Sequence, residues 1–182
     1  IAYVNLVGGQ DELVFDGTSV IVSPKGEILA RASQFSEDSL IFDINLEEDP
    51  TTEKCKVSKF DLEKDSKSKS KKPMHDLEEI YAALVIGTKD YVHKSGFEKV
   101  IVAISGGIDS ALVATIASDA LGSKNVVGFS MPSRYSSKGS VTDSELLAKN
   151  LGIELLKVSI ESVFTEYLAT LKDLFKKTKD SY

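Results

Sequence analysis

The run Val100-Ile101-Val102-Ala103-Ile104-Ser105-Gly106-Gly107-Ile108-Asp109-Ser110 decides the fold of the second half of this 182-residue chain. It begins with an uninterrupted apolar stretch, which predicts a strand buried on both faces of a parallel sheet. A helical apolar stripe follows and stops at Gly122; its members are Leu112, Val113, Ile116, Ala117 and Leu121. A buried strand, a glycine-containing loop and a helix in this order predict a βα unit of an α/β domain.

Helices and strands continue to alternate on both sides of this unit. Pro73 precedes a helical pattern of about 20 residues, with Gly96 as its stop. Beyond the central unit the patterns predict a strand at 126–129, a helix at 140–151, a strand at 153–158 and a helix at 160–177. Repeated βαβ units predict a doubly wound parallel sheet with helices on both faces.

Residues 1–46 have a different, β-rich pattern. Short apolar runs at 19–22, 28–30 and 40–42 predict strands, and Ser23-Pro24-Lys25-Gly26 predicts a type I turn. Gly8-Gly9-Gln10 has the composition of a further turn. A few short strands cannot cover their own apolar face, so we expect this segment to be the end of a larger domain.

Residues 47–72 separate the two patterns. More than half of them are charged, beginning with Glu47-Glu48-Asp49, and such a segment buries too little apolar surface to offset its ordering entropy. A solvated linker is the favoured interpretation, and a basic targeting or docking tract is the alternative. Cys55 lies here without a His or Asn framework, which indicates an incidental thiol rather than a nucleophile.

Composition excludes several classes of protein. The chain has 28 acidic and 22 basic residues, a net charge of −6, which argues against non-specific binding to nucleic acid. It has no apolar run of about 18 residues, so we expect no membrane span. One cysteine excludes an intramolecular disulfide framework. His75 and His93 have no metal-ligand spacing and are interpreted as surface residues. A cytoplasmic protein is expected.

The loop at 105–110 carries the strongest chemical signal. Gly106 and Gly107 let backbone N–H groups converge on a phosphate, and the following helix N-terminus adds further donors. Ser105 and Ser110 add hydroxyls, while Asp109 beside a polyanion suits a bridging Mg²⁺. The alternative is that Asp109 or Ser110 only caps the helix. The loop contains no Lys and matches neither the P-loop nor the dinucleotide motif.

This loop resembles the pyrophosphate loop of the ATP pyrophosphatases. The resemblance implies an adenine-nucleotide α-hydrolase-like fold, in which ATP binds at Ala103, Ile104, Ser105, Gly106, Gly107, Ile108, Asp109 and Ser110, with Mg²⁺ on Asp109. Arg134, in Met131-Pro132-Ser133-Arg134-Tyr135-Ser136-Ser137, is then expected to contact the nucleotide, although spacing alone fits a surface Arg equally well.

Three stretches narrow the resemblance to the glutamine-dependent NAD synthetases. Residues 3–17 are similar to the end of a nitrilase-type glutaminase, an α/β sandwich, and residues 80–91 and 131–137 are similar to the synthetase. The resemblance implies a glutaminase end at 1–46, a linker at 47–72 and the start of a synthetase domain at 73–182. The glutaminase triad is then expected before Ile1 and a second magnesium carboxylate beyond Tyr182, so no catalytic residue is assigned within this chain.

The implied activity is formation of NAD from deamido-NAD by an ATP-dependent amide ligase, through an adenylated carboxylate and with ammonia from glutamine. Its partners are then small molecules rather than nucleic acid or membrane, and we expect a homo-oligomer. Two alternatives stay open. One is another adenylating enzyme with this loop and a different acceptor, and the other is a nucleotide-binding module without catalysis.

Overall fold

The computed structural model describes residues 1–42 and 70–175. The acidic run at 47–49, Cys55 and nearly all of the expected linker at 47–72 therefore lie outside the described residues. The chain divides into two compact units, Ile1–Ala83 and Leu84–Tyr182.

The strands described in the first unit are all antiparallel. Its strands are β1 (Ala2–Tyr3), β2 (Val7–Gln10), β3 (Leu13–Asp16), β4 (Val20–Val22) and β5 (Ile28–Arg31). They form a sheet in the order β1-β4-β5 and a separate β2-β3 hairpin. The turn predicted at Ser23-Pro24-Lys25-Gly26 is present, since the Gly26 N–H donates to the Ser23 carbonyl at 3.0 Å.

Two local predictions in this unit are wrong. Residues 40–42 form no strand, because an apolar run becomes a strand only where a partner strand supplies a ladder. Gly8-Gly9-Gln10 is not a turn but part of β2, where Gly8 pairs with Phe15 and Gly9 with Val14. Ladder pairing with the apolar strand β3 overrides the turn preference of the two glycines. The actual turn is Asp11-Glu12, with Asp11 at φ 51°.

The remaining elements alternate as the sequence predicts. They are α1 (Asp76–Lys94), β6 (Val100–Ala103), α2 (Ile108–Leu121), β7 (Val126–Ser130), α3 (Lys138–Leu151), β8 (Glu154–Lys157) and α4 (Glu161–Phe175). The strands β6, β7 and β8 are parallel and lie in that order. The prediction of an α/β fold with a parallel sheet is confirmed.

Helix α1 begins and ends where its charges and glycine indicate. Acidic side chains occupy its first turn and His93 and Lys94 its last, which complements the helix dipole. Gly96, at φ 82°, donates its N–H to the His93 carbonyl at 3.0 Å and ends the helix. His75 and His93 are both exposed, as expected. None of the described helices has the length and apolar character of a membrane-spanning segment.

The core of the second unit lies where α2 and α3 contact each other and the sheet. Its buried side chains include Val102, Ile104, Ala114, Ala117, Val126, Ala148 and Ile153. Leu112 and Val113, predicted to be buried, are about half exposed, because the buried stripe of α2 is shifted toward its alanines.

Ile101, in β6, is 72% exposed. Two right-handed crossovers between neighbouring strands place α2 and α3 on the same face of the sheet. The opposite face of β6, on which Ile101 lies, is therefore not covered by these two helices.

Gly128, in the middle strand β7, is a tight position in this core. A Cβ there would lie 2.7 Å from Ile104 Cδ1 and 3.0 Å from Leu155 Cδ1. The side chains of Ile104, directly after β6, and of Leu155, in β8, therefore occupy the space over the middle strand. Ile104 directly precedes loop 105–110, so the packing at Gly128 also sets where that loop leaves the sheet.

We expect Gly128→Ala to destabilise the protein by about 1–3 kcal/mol through overpacking. Ile104→Val removes Cδ1, the atom nearest to the new methyl group, and alone costs about 0.5–1.5 kcal/mol. The double variant should therefore be more stable than the sum of the two costs predicts. Calorimetric unfolding of the full-length protein measures this, and strictly additive losses would contradict the packing described.

Candidate functional site

Loop 105–110 lies at the carboxyl edge of the parallel sheet, between β6 and α2. A cavity of about 160 Å³ opens beside it between the ends of β6 and β7. The lining includes residues from both strand ends and from α3, namely Ala103, Ile104, Ser105, Phe129, Ser130, Met131, Pro132, Ser136, Ser140 and Val141. The carboxyl edge of an open parallel sheet is where ligands bind in such folds.

Gly106 is required by a backbone contact as well as by its conformation. Its φ is 83°, a region that side chains disfavour. A Cβ there would lie 2.4 Å from the Ser140 carbonyl oxygen and 2.6 Å from Ser140 Cα, in the first turn of α3. Gly107 differs, because its φ is −90° and a Cβ there would have only the Ser105 hydroxyl within 4 Å, at 3.5 Å. The two adjacent glycines therefore have separate roles.

Helix α2 begins at Ile108, with Gly107 as its N-cap and no side-chain cap hydrogen bond. The alternative that Asp109 or Ser110 serves as the cap is therefore wrong, since both already lie inside the first turn. Among the residues that the structure describes, the backbone N–H groups of Ile108, Asp109 and Ser110 have no acceptor. Such free amides at a helix N-terminus form a ready site for an anion.

The hydroxyls of Ser105 and Ser110 form hydrogen bonds within the loop. Ser110 Oγ donates to the Gly107 carbonyl at 2.9 Å and accepts the Ser105 N–H at 3.2 Å. Because a hydroxyl has one proton, the 3.1 Å contact between the two Oγ atoms has Ser105 as its donor. Ser105 Oγ also accepts the Gly107 N–H at 3.3 Å. Both hydroxyl protons are thus used inside the loop, and the outward donors are backbone amides.

Asp109 is exposed in the first turn of α2, beside the free amides. The described residues contain no cluster of three or more His, Cys, Asp or Glu side chains that could hold a metal ion. A single exposed carboxylate fits a cation that takes its other ligands from phosphate oxygens and water, which is the usual coordination of Mg²⁺. Asp109 therefore suits a metal bound together with a nucleotide.

The structure places Arg134 away from the cavity lining and against helix α4. Its Nε donates to Glu161 Oε1 at 2.5 Å, and its Nη2 also donates to this oxygen and to Thr165 Oγ1, the latter at 3.3 Å. The hydrogen bond from Arg134 holds the pKa of Glu161 below its ordinary value. The guanidinium charge is therefore neutralised within the protein.

Sequence reasoning missed the part of the cavity that α3 contributes. The structure starts this helix at Lys138 rather than at 140, with Ser137 as an N-cap that accepts the Ser140 N–H at 3.0 Å. Ser137 is a local signal for this start, because serine is one of the preferred N-cap residues. The approach of Ser140 to Gly106 has no such local signal, because it depends on tertiary packing.

Comparison with known proteins decides the family. The NAD synthase family model matches residues 80–181, and that of the carbon-nitrogen hydrolases matches residues 1–49. The chain belongs to the NAD synthase family. The family match covers α2 and its preceding loop, so the free amides and the cavity lie within the matched region.

Several similar proteins are glutamine-dependent NAD(+) synthetases. That of Thermotoga maritima is 42% identical over 96% of this chain, and that of Aquifex aeolicus is 45% identical over 92%. The solved Acinetobacter baumannii enzyme, in complex with ADP, is 37% identical over the whole chain, with a TM-score of 0.82. The chain spans about a third of the length of each of these proteins, namely 34%, 32% and 32%.

We expect the two loop glycines of this NAD synthase-family chain to respond differently to alanine. Gly106→Ala places a methyl group against the α3 backbone at a left-handed φ and should cost about 2–4 kcal/mol. Gly107→Ala meets no backbone atom and should change stability by less than about 1 kcal/mol. Calorimetric unfolding of both full-length variants measures the difference, and equal losses would show that the contact with Ser140 is not limiting.

Proposed function

We propose that this chain is the junction region of a glutamine-dependent NAD synthetase, in which loop 105–110 binds the phosphates of ATP. The observation that carries the proposal is the set of free amides at Ile108, Asp109 and Ser110, at an exposed loop beside an open cavity. Backbone donors and a helix N-terminus together favour a phosphate group. The ADP complex of the Acinetobacter relative supports an adenine nucleotide as the ligand.

The domain boundaries follow from the same proposal. Residues 1–46 are the end of a nitrilase-like glutaminase domain, 47–72 a linker and 73–182 the start of the synthetase domain. The positions of the two family matches, 1–49 and 80–181, support this division. The expected homo-oligomer and cytoplasmic location stay predictions.

The proposed reaction has two steps. A carboxylate oxygen of deamido-NAD attacks the α-phosphorus of ATP, the bond to the bridging oxygen breaks, and pyrophosphate leaves with that electron pair. Ammonia from glutamine then attacks the adenylated carbonyl carbon, and AMP leaves as NAD forms and a proton is released. The partners of the protein are therefore small molecules.

The chain contributes binding and charge stabilisation to the first step. The amides at the start of α2 hold the departing pyrophosphate as its negative charge grows, which lowers the barrier without a general base. Asp109 would hold Mg²⁺, which supplies additional charge neutralisation on the phosphate oxygens. The cavity walls, including Ala103, Ile104 and Ser105, would bind the rest of the nucleotide.

The full-length protein should convert ATP, deamido-NAD and ammonium to NAD, AMP and pyrophosphate in equal amounts, with glutamine able to replace ammonium. Product analysis by chromatography measures the stoichiometry. Release of pyrophosphate only with a different acceptor would establish the first alternative, an adenylating enzyme of other specificity. ATP binding without any turnover would establish the non-catalytic module.

Asp109→Asn tests the metal role. The variant keeps the size of the side chain but loses its charge, so the Mg²⁺ concentration for half-maximal pyrophosphate release should rise by roughly tenfold or more. Asp143→Asn is the control, because Asp143 is also an exposed helical aspartate but lies in the second turn of its helix, α3. An unchanged magnesium requirement in Asp109→Asn would remove the metal from this residue.

A further inference from the structure

We infer that Glu161 is a positioning residue that acts through Arg134 to hold the 131–137 segment as one wall of the nucleotide cavity. The inference rests on the proposed binding of ATP at this cavity and goes beyond it, because Glu161 lies on α4 and not at the cavity. It also gives Arg134 a different role from the nucleotide contact that the family resemblance implies.

Glu161 binds Arg134 through both the side chain and the backbone. One carboxylate oxygen accepts from Nε and Nη2 of the guanidinium, and the other accepts from the Arg134 backbone N–H at 3.1 Å. The backbone contact is the informative one. A carboxylate that neutralised only a surface cation would not need it, whereas this carboxylate fixes the main chain of the segment.

Further contacts join the same segment to the start of α4. The Ile160 N–H donates to the Pro132 carbonyl at 3.3 Å. The Arg134 guanidinium lies 5.7 Å from the centre of the Phe164 ring, and the Tyr135 ring meets Phe164 edge-on, also at 5.7 Å between centroids. Cation–π and edge-to-face contacts of this kind favour one arrangement of the chain.

The residues held against α4 lie between residues that line the cavity. Met131, Pro132 and Ser136 form part of the lining, while Arg134 and Tyr135 contact α4. Displacing the middle of so short a segment necessarily moves its two ends. The shape of this wall therefore depends on the contacts with Glu161 and Phe164.

Charge also argues against Arg134 as a direct phosphate ligand. The hydrogen bond and charge of Glu161 raise the pKa of Arg134, and the same hydrogen bond lowers the pKa of Glu161, so both groups are ionised at neutral pH. To reach a phosphate, Arg134 would have to leave its carboxylate, Thr165 and the Phe164 ring. Exposed ion pairs add little to global stability, so the expected consequence is local.

A double-mutant cycle in the full-length protein separates the two roles. If Glu161 positions the wall through Arg134, then Arg134→Ala and Glu161→Ala should each raise the KM for ATP about three- to tenfold, with kcat changed less than twofold. The double variant should resemble either single variant, because both remove one interaction. Glu161→Gln keeps an acceptor and should restore part of the loss.

A second exposed ion pair provides the matched control. Lys157 Nζ and Glu145 Oε1 lie 2.7 Å apart and join β8 to α3, with side chains exposed to 50% and 47%, against 51% and 36% for Arg134 and Glu161. Lys157→Ala and Glu145→Ala should leave the KM for ATP unchanged. An equal rise in these variants would show that loss of any surface pair has this effect, which would overturn the inference.

Two other results would also overturn it. If Arg134 binds phosphate directly, Glu161→Ala frees the cation and lowers the KM for ATP while Arg134→Ala raises it. Additive effects in the double variant would show that the two residues act independently. Amide hydrogen exchange of 131–137 gives a readout that does not need turnover: Glu161→Ala should accelerate it and Glu145→Ala should not. Failure of the proposed function appears instead as absent ATP turnover in the unsubstituted protein.

Discussion

The backbone contact between Gly106 and Ser140 is the constraint on which the site depends. It brings the first turn of α3 against the loop that starts α2, and so fixes the distance between two neighbouring βα connections. The cavity lies between these connections, with Ser105 on one side and Ser140 on the other. No residue with a side chain fits at 106 without moving α3. This glycine therefore sets how closely loop 105–110 and α3 approach each other at the carboxyl edge of the sheet.

The chemistry of the loop follows from how its hydrogen bonds are divided. Ser105 and Ser110 satisfy each other and the loop backbone, which leaves the first-turn amides of α2 as outward donors. Backbone amides are fixed in direction by the helix, whereas hydroxyls can rotate. An anion bound here, as proposed, would be held by the most rigid groups of the loop, and the serines would keep those groups in place.

Much of the second unit follows from local sequence, and the exceptions have physical causes. The all-apolar run before Ser105 and the periodic stripes predict β6, α2 and their neighbours, because strand and helix periodicity are local properties. The turn prediction for Gly8-Gly9-Gln10 is wrong because the pairing of these residues with β3 is set by a different segment. The pairing of Arg134 with Glu161 spans a strand and a helix, and no spacing rule brings two such distant residues together. The role of Gly106 is only half predictable: its backbone freedom is local, but its contact with Ser140 is tertiary.

The closed network of the two serines also bears on how a phosphate would be received. A loop that is already held by hydrogen bonds of its own serine hydroxyls loses little conformational entropy when it binds an anion. The main cost of association is then the stripping of water from a few amides, rather than the ordering of a chain. A loop of this kind is pre-organised for binding, which favours fast association and a single orientation of the bound phosphate.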